Sequence, residues 1–293
     1  MANKKQNARK KSAVLFNIVI ILLFLIGSSV LLYPTASNMW NNRRDKQLQV
    51  SYIETVNNLG REEYEEMLSQ AKEYNYHHHV NTIVDAFDEE NEYKLSHPYN
   101  TFLNPNGDEI MGYIEIPKID LELVIYHGIA ESTLEKGIGH IEGTSLPVGG
   151  EGTHAVLAGH RGLPGAKLFT DVEKLRIGDF FYIGVLHEKM QYKIEQIEIV
   201  LPNEAEKLEI EEGKDHVTLL TCTPYGVNTH RLLVRGERTD WEESGGNEET
   251  AGNFWQNMEL RLLFAGIVVI LIIISLFSSS KKTKAKDRKQ SNS

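Results

Sequence analysis

The chain has one cysteine, Cys222, in the stretch Val217-Thr218-Leu219-Leu220-Thr221-Cys222-Thr223-Pro224, with Arg231 nine residues further on. His160 stands earlier, in Ala158-Gly159-His160-Arg161-Gly162. A lone thiol cannot close an internal disulfide. It pairs between chains, lies inert in a core, or does chemistry. A thiol with a pKa near ~8.5 is a poor nucleophile at neutral pH unless a nearby cation favours its thiolate. An imidazole can hand a proton to a leaving amine, and a guanidinium can hold an oxyanion. Together the three types are a minimal set for acyl transfer. Each also has a plain reading: Cys222 as a small buried hydrophobe, His160 as a turn histidine, Arg231 as a surface ion-pair partner. Among eleven histidines, spacing alone does not select His160 over His154, His216 or His230.

The elements that must position these residues read as strands. Met111 to Pro117 and Leu121 to Tyr126 alternate apolar and polar, His154 to Gly159 is short and apolar, and Asp179 to Val185 and Met190 to Leu201 follow. Val217 to Cys222 and Arg231 to Val234 complete the set. Many short strands punctuated by Gly and Pro predict a barrel or sandwich. Short helical exceptions are expected at Ser132 to Lys136 and at Lys167 to Leu175. If Cys222 ends one strand and Arg231 opens its antiparallel neighbour, both come to the same end of the sheet. Upstream, Asp45 to Val80 carries apolar residues at helical spacing (Ile53, Val56, Tyr64, Met67, Leu68, Ala71), with Gly60 as a possible break. His77-His78-His79 ends this stretch. Consecutive histidines point different ways on a helix, so a solvated or packing role is expected.

Two apolar runs flank this middle. Ala13 to Tyr33 and Leu260 to Phe277 are each about as long as the roughly 20 residues a helix needs to cross a bilayer. Residues 1–12 hold five Lys/Arg and no acid, and residues 281–293 hold six against Asp287. The positive-inside rule then puts both termini in the cytoplasm and the middle outside the cell. A cleaved signal peptide has a shorter apolar core, of about 7–15 residues, so an uncleaved anchor is expected. An unpaired thiol outside the cytoplasm is unusual in itself. With Glu259 and Arg261 also set aside, the middle keeps 19 basic residues and 39 acids, about −20. Such a surface repels nucleic acid. No metal-ligand spacing or nucleotide-binding loop appears, so no cofactor and no metal are expected.

Longer motifs carry a resemblance. Thr218-Leu219-Leu220-Thr221-Cys222-Thr223-Pro224-Tyr225, then Asn228-Thr229-His230-Arg231-Leu232-Leu233-Val234-Arg235-Gly236, resembles the signature of the sortases, most closely class C, the pilin-polymerising group. Gly112 to Ile119, Gly139 to Pro147 and Thr153 to Pro164 resemble the family as well, so that the likeness spans roughly residues 85–238. The second apolar run is in keeping with class C members, which often carry a C-terminal membrane helix. The resemblance implies a closed eight-stranded β-barrel with N-terminal helices and short connecting helices, between two transmembrane helices. It implies Cys222 as nucleophile, His160 as general acid/base and Arg231 as substrate clamp and oxyanion stabiliser, and no cofactor. The implied substrate is a Leu-Pro-X-Thr-Gly-type sorting signal, cleaved at Thr–Gly and passed to a lysine amine of another pilin subunit. Anchoring to cell-wall peptidoglycan, a non-catalytic tethered scaffold and a plain cysteine protease are the alternatives.

Class C members also carry a lid marked by an Asp-Pro-aromatic tripeptide. The matching place is Asp85-Ala86-Phe87, where alanine replaces the proline and removes its φ restraint. His97-Pro98-Tyr99 is a second possible plug. The expected organisation is a basic tail (1–12), a transmembrane helix (13–33), a helical stalk (34–84), a lid loop (85–110), the catalytic barrel (111–240), a linker (241–258), a second transmembrane helix (259–278) and a basic tail (279–293).

Overall fold

The computed structural model describes residues 2–80, 98–163, 165–202, 204–241 and 266. The chain divides into two compact units, one of residues 1–32 with 247–293 and one of residues 33–246. Apart from residue 266, the second apolar run (259–278) lies outside the described residues, as do the lid residues Asp85, Ala86 and Phe87.

Helix α1 spans Ala2–Asn58 and passes through Pro34. From Leu15 on it is long and apolar enough to cross a membrane, with a mean hydropathy of 2.7 over its best window. Its later turns change character. Asp45, Tyr52 and Val56 recur at helical spacing and are buried at 3%, 0% and 1% exposure. The Tyr52 hydroxyl donates to the Met111 carbonyl at 2.9 Å and accepts from the Leu186 amide at 2.8 Å. The break expected at Gly60 is there, and α2 follows at Arg61–Val80, with Glu62 and Glu63 in its first turn where the helix dipole favours acids. Asn75 of α2 is buried; it donates to the Leu146 carbonyl at 3.0 Å and accepts the Leu146 amide at 2.6 Å. These contacts tie both helices to the barrel by side-chain hydrogen bonds as well as by apolar burial.

Eight strands form the barrel: β1 (Ile110–Ile116), β2 (Leu121–His127), β3 (Ile138–His140), β4 (Thr153–Ala158), β5 (Phe180–Val185), β6 (Glu188–Val200), β7 (Asp215–Thr223) and β8 (His230–Thr239). They close in the order β1-β2-β3-β4-β7-β8-β6-β5, which leaves no unpaired edge. The pairs β2–β3 and β4–β7 are parallel, and the others are antiparallel. The first parallel pair is joined through the one-turn helix α3 (Glu131–Leu134). The second is joined through the β5–β6 hairpin, which crosses to fill the gap between β1 and β8. Alternation puts Val217 and Leu219 of β7, Leu157 of β4 and Val234 of β8 in the core, each at most 1% exposed. Phe181 and Tyr192 stack inside, with centroids 5.5 Å apart.

Strand β3 was not foreseen. Three residues with a central glycine show no alternation to read. Of the stretch expected to form a lid, Tyr99, Phe102 and Leu103 pack into the core cluster, the last two at 2% and 1% exposure. The Tyr99 hydroxyl lies 2.7 Å from His140 Nδ1 and its ring stacks on that imidazole, so it is committed to packing.

Candidate active site

The register brings the three chemical residues to one rim. Cys222 on β7 pairs directly with Arg231 on β8. β4 and β7 run parallel, and Ala158 pairs with Leu220. His160 and Cys222 therefore each lie two residues past the same rung on neighbouring strands. The rung extends past Ala158, since the Gly159 amide donates to the Leu220 carbonyl at 3.0 Å and the Thr221 hydroxyl donates to the Gly159 carbonyl at 2.7 Å. Cys222 is free and half-buried, as the outward-facing residue next to buried Thr221 and Thr223.

The same register separates the other histidines from the rim. His154 and His216 pair with each other at the far end of β4 and β7. Four residues along a strand from Ala158 is about 13 Å. His230 neighbours the site, but its Nδ1 lies 2.9 Å from the hydroxyl of Thr229.

The local backbone needs its glycines. A β-carbon on Gly159 would stand 2.8 Å from the Phe169 ring and 2.9 Å from Ile138. Gly162 has φ +83°, and a β-carbon there would meet Tyr225 at 2.8 Å. The chain thus packs closely before His160, at Gly159, and turns after Arg161, at Gly162. At the far end of this loop the Gly165 carbonyl accepts from Ser37 Oγ at 2.7 Å and Asn41 Nδ2 at 2.5 Å, both on α1.

Two supporting groups, Glu131 and Arg161, had no signal in the sequence. Glu131, in the first turn of α3, places Oε1 3.1 Å from His160 Nε2, with the two side chains 71% and 26% exposed. This contact orients the ring more than it stabilises the fold, since exposed pairs contribute little. Arg161 is 5% exposed at its side chain. It donates from NH1 to the Thr223 hydroxyl at 3.1 Å and pairs through NH2 with Glu173. Its guanidinium also lies over the Tyr225 ring, 5.8 Å from the centroid. One buried cation therefore links the residue after His160 to the residue after Cys222 and to the 3-10 segment Leu168–Lys174. Arg231, by contrast, donates from NH1 to the backbone carbonyls of Asn228 (3.2 Å) and His230 (3.1 Å). Asn228 has φ +61°, which bends the β7–β8 connection so that these carbonyls can face the guanidinium.

A half-buried thiol, an imidazole with a carboxylate at one nitrogen and a guanidinium held by backbone carbonyls can carry out nucleophilic acyl transfer without a metal. Comparison with known proteins agrees with that chemistry. Residues 114–239 match the sortase domain. The crystal structure of sortase C1 from Streptococcus agalactiae is 43% identical, with a TM-score of 0.62 over 67% of this chain and 100% of that one. Sortase C from Clostridium perfringens, solved with the C-terminal cell wall sorting motif, is 46% identical, with a TM-score of 0.58 over 67% of this chain and 99% of that one. A lid mutant of the Streptococcus agalactiae sortase C1 is 44% identical, with a TM-score of 0.56 over 65% and 96%.

Proposed function

Because the chain belongs to the sortase family, with class C sortases as its structural neighbours, and is by that membership a cysteine transpeptidase, we propose that it polymerises pilins. In this reading the Cys222 thiolate attacks the threonine carbonyl of a Leu-Pro-X-Thr-Gly-type signal. The tetrahedral oxyanion draws on the Arg231 guanidinium. As the C–N bond breaks, His160 gives its proton to the departing glycine amine, leaving a Cys222 thioester. A lysine amine of a second pilin then attacks the thioester and loses a proton to His160. The thiolate leaves and an isopeptide bond remains. Water is not consumed, so the thioester has to be shielded until the amine arrives. Asp85 and Phe87 are proposed to supply that shield as a lid, with Asp85 toward Arg231 and Phe87 over Cys222.

The observation that carries the reading is the register: Cys222 opposite Arg231, with His160 two residues past the adjoining rung. The resemblance of the motifs to class C, the pilin-polymerising group, supports pilin lysine over peptidoglycan as acceptor, and one class C neighbour was solved with a sorting motif. Membrane placement follows the same logic. The apolar helix from Leu15 anchors the chain, the second run (259–278) is proposed as another anchor, and the basic flanks put the barrel on the outer face. The full chain in detergent, given a sorting peptide with both a pilin lysine peptide and a peptidoglycan stem peptide, should join the first acceptor. Transfer to the stem peptide alone would make it a cell-wall anchoring enzyme, and release to water alone a protease.

A further inference from the structure

A second cluster lies away from the rim, on the face of β7 turned from Val217 and Leu219. His216 on β7 pairs in register with Glu237 on β8. Glu195 sits on β6 where the β6–β8 register shifts between Ile194 and Gln196. A bulge of this kind re-aims a side chain. Here it brings Glu195 to the same place as the other two, with one ligand atom from each residue within 4.8 Å of the others. His216 is 1% exposed at its side chain, and among the described residues neither ring nitrogen makes a hydrogen bond, although Nε2 is 3.2 Å from Glu195 Oε1. Buried polar groups are nearly always satisfied, and an unmet pair of ring nitrogens calls for a partner. His154, which packs edge-on at 5.5 Å, offers none. Its Nδ1 is 2.9 Å from the Glu209 carbonyl and its Nε2 is 2.7 Å from Thr218 Oγ1.

We propose that His216, Glu195 and Glu237 bind a divalent transition-metal ion of the zinc class, clipping β6, β7 and β8 together. One imidazole and two carboxylates are a borderline donor set. Calcium prefers six to eight oxygens, so the imidazole selects against it. Zinc with bonds of about 2.0–2.1 Å needs its donors roughly 3.4 Å apart in a tetrahedron, which rotation of the two glutamates supplies. Those side chains are 31% and 35% exposed, which gives the ion a path from solvent. Burial, followed by the nearby Arg235 charge, pulls the His216 pKa down and keeps its lone pair available. Two cations already stand at the site. Lys214 pairs with Glu237, and Arg235 donates to Glu195 at 2.8 Å and to Glu211 at 2.7 Å. Lys214 is 43% exposed and can swing into water, while Arg235 keeps Glu211 if it gives way. The lysine is thus a built-in competitor. The strand register, and no spacing in the sequence, assembles the three donors.

The test is zinc titration of the full chain in detergent, without a tag and with His77, His78 and His79 changed to Gln so that this run adds no binding. Competition with a zinc indicator and the visible spectrum of bound Co2+ are the readouts. One equivalent should bind and raise the melting temperature. His216→Ala and Glu237→Gln should each weaken it by about tenfold or more. Lys214→Met should tighten it severalfold, because the competing ammonium is gone. Calcium should not displace the zinc. Absence of a stoichiometric site, equal affinity in His216→Ala, or unchanged affinity in Lys214→Met would overturn the assignment. A failed acyl-transfer assay would leave it untouched, since no donor belongs to the Cys222 rim.

Discussion

Replacing Arg161 by Met asks whether the rim is held by this buried guanidinium. The change keeps an unbranched apolar stem and removes the hydrogen bond to Thr223, the Glu173 ion pair and the contact with Tyr225. A hydrogen bond to a charged group contributes about 1.5–3 kcal/mol. The ion pair adds less, about 0.5–1 kcal/mol, because Glu173 is 51% exposed and rehydrates when its partner goes. The expected loss is therefore about 3 kcal/mol, a fall of roughly 6–12 °C in melting temperature for a unit of this size. The effect on chemistry should be larger than the effect on folding. Without the link, the residues following His160 and Cys222 are no longer tied to each other, and a misplacement of about 1 Å at reacting groups costs on the order of 100-fold. The assay is the single-turnover rate of Cys222 thioester formation with a sorting peptide, at a temperature where circular dichroism shows the variant folded. Arg161→Lys, which keeps the charge but cannot bridge both partners, should fall between Met and wild type. A folded Arg161→Met chain that acylates at the wild-type rate would refute the positioning role.

Two further outcomes follow from the barrel and its helices. Burial, with smaller contributions from His216 and Arg235, holds the pKa of His154 down at about 4, against 6.5 for an ordinary histidine. The unfolded chain therefore binds the extra proton first. Stability is complete above about pH 6.5 and is lost as pH falls towards 4, by about 3 kcal/mol for this group. Denaturant melts across that window should show the loss, and His154→Gln should flatten it; a wild-type curve already flat there would contradict the reading. Asn75→Ala should strand the buried amide and carbonyl of Leu146, at a cost of about 2–4 kcal/mol by denaturant unfolding. A change within about 0.5 kcal/mol would mean that α2 docks by apolar contact alone.

Much of this was legible in the chain because it is local. Period-2 alternation marks β1, β2 and β6, Gly60 marks the break between α1 and α2, and the short span from Cys222 to Arg231 makes those two antiparallel partners. The likeness of the Cys222 and His160 motifs to sortases then singles out His160, which histidine spacing does not. The rest depends on contacts distant in sequence. Nothing near Arg161 foretells that it bridges Thr223 and Glu173, and nothing near Glu131 foretells its contact with His160. Tyr99, read as a possible plug, is committed to His140 by a fold that brings residues 41 apart together. Glu195, His216 and Glu237 stand 21 residues apart in turn, too far for any local metal-ligand motif, and meet only because β6, β7 and β8 are neighbours in the barrel. The lid pair Asp85 and Phe87 lies outside the described residues, and so its role rests on resemblance to class C.

The most direct measurement is mass spectrometry of the full chain after mixing with a Leu-Pro-X-Thr-Gly peptide and no acceptor. A covalent adduct on Cys222, of the mass of the peptide up to threonine, should appear and then vanish when a lysine peptide is added. His160→Ala and Arg231→Ala should form it far more slowly, and Cys222→Ala not at all. An adduct that forms as fast without His160 or Arg231, or none on a folded wild-type chain with its thiol reactive, would contradict the account.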